Sequence, residues 1–393
     1  MPPEPTFPSA KVLAIASSLR NDGAPATLCF GTDEKPIQLG QCQISAVRFP
    51  DGETWAVRIP VHAGSTLLPS SITSIVEDEM TFMRKLNHAG FRWAPRLIGG
   101  DSSFNNALGH PYLVMTGVHG TVLNWSPEIA VAQRHKVLCQ LINIQLELAE
   151  CTKESRPGTS TRRYLTAIID GKIKRVASGE LPELDYRSCF MLRALARYVA
   201  DDALETSLFA MSHDNLAAHK IIIDQEYNIT GIIDWKFARF RPLQLALHFP
   251  RLLETDFDEA DPSTSAESIH PSSTLSADRQ FVMSHLSSLV ANQASKGLPQ
   301  LASPASIMKA VVSDPDVDWQ DLVYQSCFRK NLHKWMANRS WLPYATQRTE
   351  VRLVLVDSGK TIDEEIEGFL QVADTEKGFS REKLLELCRN QEQ

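Results

Sequence analysis

The stretch Met211 to Trp235, MSHDNLAAHKIIIDQEYNITGIIDW, gathers the side chains best suited to chemistry. It sets Asp214, Asp224, Asp234, His213, His219, Asn215 and Lys220 among runs of isoleucine. A carboxylate can hold a hard cation through oxygen or take a proton from a hydroxyl. An amide has no basic site, so Asn215 cannot take a proton. A protonated lysine cannot ligate a metal; it brings positive charge instead. Taken singly, each residue has a plainer role. Asp214 and Asp224 read as turn carboxylates, and Asp234 as a turn residue ahead of a packing tryptophan, Trp235. His213 and His219 read as structural histidines, and Glu79 as a solvated helix residue. Only a fold that brings these groups together makes them a site.

Composition narrows the classes of partner. The 393 residues are 43% hydrophobic, enough for one large two-lobed domain or two ordinary ones. A net charge of −7 without clustered Lys and Arg gives no sign of phosphate-backbone binding, so no nucleic-acid partner is expected. Seven scattered cysteines form no C-x-x-C pair, which points to reduced thiols in a cytoplasmic protein. The apolar run Val12 to Ala16 is too short for a signal core, and no run approaches bilayer length, so no membrane partner is expected. Oligomeric state cannot be read from the sequence.

The elements that must position the chemistry can be placed in outline. Ala46 to Phe49 and Thr54 to Ile59 flank Pro50-Asp51-Gly52 and predict a hairpin closed by Pro60. Ile72, Ile75, Met80, Met83 and Leu86 predict a helix from Ser70 to Ala89. Tyr112 to Met115 reads as a strand, with Gly117 and Gly120 suiting a flexible crossing. Pro127 to Glu150 reads as a buried helix, Thr152 to Arg163 as a loop and Arg187 to Asp201 as a helix. Leu208 to Met211, Lys220 to Ile223 and Ile229 to Ile233 are short strands. Thr255 to Ser276 reads as an exposed insertion, and helices follow over 279–294, 319–337 and 361–389.

The stretch around Asp234 resembles the aminoglycoside phosphotransferase and choline-kinase-like family, in its fungal phosphotransferase-enzyme form. That family reads H-G-D-L-x-x-x-N-I-L-V-D, a short hairpin, then I-I-D-W. Aligned without gaps, His213, Leu216 and Ile221 to Asp224 match the first motif, and Ile232-Ile233-Asp234-Trp235 the second. Trp55 to Pro60 looks like the nucleotide-lobe strand, with Arg58 for the usual lysine. Glu79 falls where the helix glutamate pairs with that cation. Pro111 to Gly120 looks like the hinge, and the likeness runs over roughly residues 30–340.

The resemblance implies an α+β, protein-kinase-like two-lobed fold with a β-rich N-lobe and a mainly helical C-lobe. It implies an N-terminal extension over 1–26, an N-lobe over 27–116 and a C-lobe over 117–393 that carries the insertion. It further implies ATP and magnesium as cofactors and a small-molecule ligand or substrate in the cleft. Phosphoryl transfer depends on positioning and charge neutralisation. The family pattern gives Arg58 and Glu79 to the phosphates and Asp234 to the metal, with His213 bracing the catalytic loop. Two positions depart from it: Asn215 replaces the catalytic aspartate, and Lys220 replaces the metal-binding asparagine. The phosphate-covering loop is also poor in glycine, with Gly40 alone between Gln38 and Arg48. The reading is a phosphotransferase homologue with weakened or lost transfer. The alternatives are an active kinase for a hydroxyl-bearing metabolite and a non-catalytic scaffold.

Overall fold

A computed structural model describes residues 7–29, 37–39, 42–60, 68–254, 272–295, 303–328, 332–333, 358–372 and 380–389. Gly40 and residues 255–271 of the expected insertion lie outside the described residues, as do 329–331 and 334–337 of the helix predicted over 319–337. By its internal contacts the chain forms two compact units. The first comprises Met1–Thr152 and Met211–Phe240, the second Lys153–Ala210 and Arg241–Gln393.

The first unit begins with α1 (Ser9–Ser18) and β1 (Thr27–Leu28), followed by β2 (Ile37–Leu39), β3 (Cys42–Arg48) and β4 (Thr54–Pro60). Then come α2 (Pro69–Ala89), β5 (Leu97–Asp101), β6 (Tyr112–Thr116), β7 (Thr121–Val122) and α3 (Val131–Thr152). The antiparallel sheet runs β1-β3-β4-β6-β5, with β2 on β3. The predicted hairpin is β3 and β4, in register from Cys42↔Pro60 to Arg48↔Thr54. Alternation sends Trp55, Val57 and Ile59 to the face covered by Val12, Ile15 and Ala16 of α1, a helix that the Pro-rich leader obscures in the sequence. Burying one such aliphatic side chain stabilises by about 1.5–3 kcal/mol.

Arg58 points the other way, toward α2. That helix starts on Pro69 and ends where Gly90 takes the left-handed conformation at φ 70°. Its buried stripe is Ile72, Val76, Glu79, Met80, Met83 and Leu86. Glu79 therefore lies on the buried stripe of the helix, not on its solvated side.

Gly120 is a point of close approach and not a flexible crossing. Its φ is 135°, and a Cβ there would overlap the Ile223 carbonyl oxygen where β7 pairs with the strand after Lys220. Gly120→Ala is expected to cost about 1–3 kcal/mol through the backbone alone. A urea titration checks this, and an unchanged midpoint would show that the chain relaxes there freely.

The second unit starts with β8 (Glu154–Ser155), α4 (Thr161–Ala177) and α5 (Tyr186–Ala196). The sequence predicts a loop to Arg163, yet α4 begins two residues earlier. Ser160 caps it by accepting the Arg163 N–H at 3.1 Å, and Leu165, Ile169 and Ile173 face the core. The chain continues with β9 (Leu208–Ser212), β10 (Ile221–Ile223), β11 (Ile229–Ile232) and β12 (Arg239–Pro242). Of these, β10 and β11 belong to the first unit, and β9 and β12 run across its boundaries. Among the described residues the remaining α-helices are α6 (Leu243–Ala246), α7 (Ser273–Ser295), α8 (Pro304–Val312), α9 (Val317–Ser326), α10 (Ser358–Leu370) and α11 (Arg381–Arg389). The helix α7 takes in Ser273 to Ser276, which the sequence assigns to the insertion, and the helix predicted over 361–389 is two helices. The core of the second unit gathers Phe190, Leu192, Trp319, Val323, Ile366 and Phe369.

Candidate active site

Hairpin register builds the site within the first unit. Strands β10 and β11 pair from Ile221↔Ile232, and β10 pairs on its other side with β7. The Ile233 N–H donates to the Lys220 carbonyl at 2.9 Å. This bond sets Lys220, at the end of a 3-10 turn, beside Asp234. Asp234 itself takes the left-handed conformation at φ 68°, which aspartate tolerates better than most residues.

His213 holds the loop from beneath. Its Nε2–H donates to the Ile233 carbonyl at 2.9 Å, and its Nδ1 accepts the Asn215 N–H at 3.4 Å. The ring also meets Trp235 edge-on at 4.7 Å. Both nitrogens are used only if the imidazole is neutral, and burial pushes its pKa down to about 4. His213 is therefore suited to bracing the loop and poorly suited to moving protons at neutral pH.

Four of the expected residues meet. Arg58 Nη1 donates to Glu79 Oε1, and Arg58 Nη2 lies 3.9 Å from Asp234 Oδ1. The Lys220 ammonium donates to Asp234 Oδ2. Arg58 and Glu79 are almost wholly buried, whereas Lys220 and Asp234 keep 16% and 15% of their side chains exposed, so a solute can reach them. Burial alone would lower the Arg58 pKa, but Glu79 and then Cys42 outweigh it and hold the guanidinium above the ordinary arginine range. Burial would likewise raise Asp234, yet Lys220, Lys236 and Arg58 hold its carboxyl below the usual range. Asn215 lies partly exposed on the same loop.

Two participants, Lys236 and Cys42, were not anticipated, and Asp214, read as a turn carboxylate, is held in an ion pair. Lys236 Nζ stands 3.8 Å from Asp234 Oδ1. Cys42 Sγ takes a 3.2 Å contact from Arg58 Nη2. Because Arg58 faces Ile44 across the hairpin, Cys42 is its diagonal neighbour on the same face, which the register would have revealed. Asp214, at φ 63°, has its side chain 5% exposed and lies 2.7 Å from Arg239 Nε. That ion pair turns the neighbouring carboxylate into an anchor and leaves the loop without a free base at 214.

The donor set suits phosphate oxygens better than magnesium. Magnesium takes oxygen ligands, and here a single carboxylate carries an ammonium and has two further cations within 4 Å. Among the described residues no group of three or more His, Cys, Asp and Glu side chains could hold a metal ion.

Two buried histidines, His213 and His333, and the half-buried His248 give stability a pH dependence of known sign. His213 and His248 are lowered to about 4 and His333 to about 3, all by burial, from an ordinary 6.5. Between pH 6.5 and about 4 the unfolded chain therefore binds protons that the folded chain refuses. Stability is full above 6.5 and falls as pH drops through that window. Urea midpoints across the range check this. His213→Asn should flatten the fall, and an unflattened fall would mean that His213 is charged when folded.

A β-rich sheet with one helix, a hairpin-borne Asp-Trp stretch and a buried Arg-Glu pair define a kinase-like phosphotransferase fold, α+β in class. Residues 49–244 match the model of the family described as "Phosphotransferase enzyme family", and the chain belongs to it. A Plasmodium vivax ethanolamine kinase superposes with 13% identity and a TM-score of 0.47 over 85% of this chain and 88% of its own. A streptomycin–ATP complex of the phosphotransferase APH(2")-IIa gives 10% and 0.45 over 85% and 96%. A 59-residue segment is 37% identical to clavilactone A biosynthesis cluster protein Y of Ampulloclitocybe clavipes, covering 15% of this chain and 14% of that protein. Among the described residues no helix is long and apolar enough to cross a membrane.

Proposed function

We propose that this chain binds a nucleotide or a related small ligand beside Arg58, Glu79 and Asp234, and that its phosphotransfer is weakened or lost. The observation that carries the reading is the Lys220 ammonium seated on Asp234. In the family pattern that position supplies a neutral amide to a metal. Asn215 adds a second loss, because it offers no base where the pattern has a carboxylate. Removing a general base costs about 10²–10⁴ in rate. Asp214 does not make it good, since Arg239 holds it.

The residues that remain can still bind. Arg58 is fixed by Glu79 and stays charged, and the Lys220 and Lys236 ammoniums are partly open to solvent. Such groups recognise phosphate oxygens through charge-assisted hydrogen bonds. Membership of a phosphotransferase family makes a hydroxyl-bearing small molecule the natural class of second ligand.

The test is ATP turnover with magnesium, alone and with a panel of hydroxylated metabolites. Turnover should stay at background. Robust phosphorylation of any acceptor would replace this reading with that of a working kinase. A melting temperature unmoved by ATP under every condition would favour a scaffold without a nucleotide.

A further inference from the structure

We infer that the nucleotide's phosphates are held here without a divalent metal, by the Lys220 and Lys236 ammoniums acting together with Arg58. The inference rests on the nucleotide-binding reading above and specifies how that site balances charge.

Three cations and two carboxylates make up the cluster. Arg58 is shared between Glu79 and Asp234, while Lys220 and Lys236 both lean on Asp234. The cluster thus carries one excess positive charge before any ligand arrives. A magnesium ion on Asp234 would raise that excess and would stand against an ammonium already in contact with its only acidic ligand. Repulsion at such distances grows as water is excluded. An anionic group meets the opposite situation, because it enters where positive charge is in surplus and partly exposed.

Geometry makes Lys220 a fixed part of the cluster. Its carbonyl accepts the Ile233 N–H at 2.9 Å, so the hairpin itself keeps the lysine beside Asp234. Lys236 follows Asp234 by two positions in a 3-10 turn whose Trp235 indole donates to the Ile232 carbonyl at 2.8 Å. A flexible surface lysine could swing away from an arriving metal. These two have their backbones set beside the carboxylate, their side chains are mostly buried, and each ammonium faces Asp234. Asp234 then acts as a spacer: its charge keeps the ammoniums together until phosphate oxygens share them.

A chelated nucleotide and a bare one differ in charge, and this separates the possibilities. Calorimetric titration of ATP into the full chain is run once in EDTA and once in excess magnesium. Binding in EDTA should equal or exceed binding in magnesium. Binding that appears only with magnesium would overturn the metal-free site and leave the nucleotide-binding reading intact. No binding in either buffer would remove that reading, and this inference with it.

Lys220→Asn restores the family's amide and removes the fixed cation. It should weaken binding in EDTA by about tenfold or more and make magnesium helpful instead of neutral. Equal EDTA affinity in wild type and Lys220→Asn would show that Lys220 is not the counter-ion. Lys236→Gln, whose ammonium stands 3.8 Å from Asp234 without a hydrogen bond to it, should weaken EDTA binding by a smaller factor, and no weakening there would also count against the inference.

Discussion

Replacing Asn215 with aspartate and Lys220 with asparagine together is expected to raise magnesium-dependent ATP turnover by about 10²–10⁴-fold over the wild-type chain. The two changes supply different missing parts. Asn215→Asp returns a carboxylate that can accept a hydroxyl proton. Lys220→Asn withdraws the ammonium from Asp234 and gives magnesium a second oxygen ligand. Neither should suffice alone. With Lys220 in place the new base has no magnesium on Asp234 to orient and activate the γ-phosphate, and with Asn215 in place the freed carboxylate has no base beside it. Groups that act as a unit in this way are strongly non-additive, so each single variant should stay near background. An ADP-release assay with and without magnesium reads all four proteins. A double variant no faster than wild type would place the cause of inactivity outside these two positions.

The same comparison distinguishes a lost activity from one that never needed the two residues. An active wild type would have to rely on positioning and on Lys220 to neutralise developing charge. In that case Lys220→Asn should slow turnover instead of leaving it at background. A wild-type rate above background that falls in Lys220→Asn decides for the active enzyme, and a rate at background in both decides against it.

What could be read from the sequence, and what could not, follows the range of the interactions. The β3–β4 hairpin announces itself through an Asp-Gly turn between alternating apolar runs, and α2 through its periodic stripe. Glu79 was legible as a partner for Arg58 only by likeness, although its place on the stripe with Ile72, Val76 and Met83 marks it as buried. Helix α4 was partly missed because its first turn, Thr161-Arg162-Arg163, is polar and follows a Pro-Gly segment. Its cap at Ser160 and its apolar spacing were the available signals. The companions of Asp234 were harder to see. Lys236 and Cys42 join the cluster through a 3-10 turn and a diagonal strand pair, and Asp214 meets Arg239 through a left-handed residue. Such contacts depend on register and on rare backbone conformations, which local patterning does not encode.

Glu79→Ala should lower stability by about 3–5 kcal/mol, the largest single loss predicted for the first unit. Arg58 is 7% exposed in its side chain and Glu79 is 2% exposed, so neither charge can turn to water when its partner is removed. Glu79 Oε2 is already buried without a hydrogen-bond partner among the described residues, so the pair carries a standing desolvation cost. Its value therefore lies in each charge cancelling the other's penalty. Replacing both, as in Arg58→Met with Glu79→Leu, removes that penalty at the source and should recover most of the loss. Urea unfolding of the two singles and the double gives the coupling. If Glu79→Ala alone is mild, Asp234, 3.9 Å from Arg58, must take over as its counter-charge. The helix glutamate would then be dispensable for holding the cation that the proposed ligand needs. If the single is severe and the double is not, the pair is kept at a cost to the fold, which is how a binding group differs from a packing group.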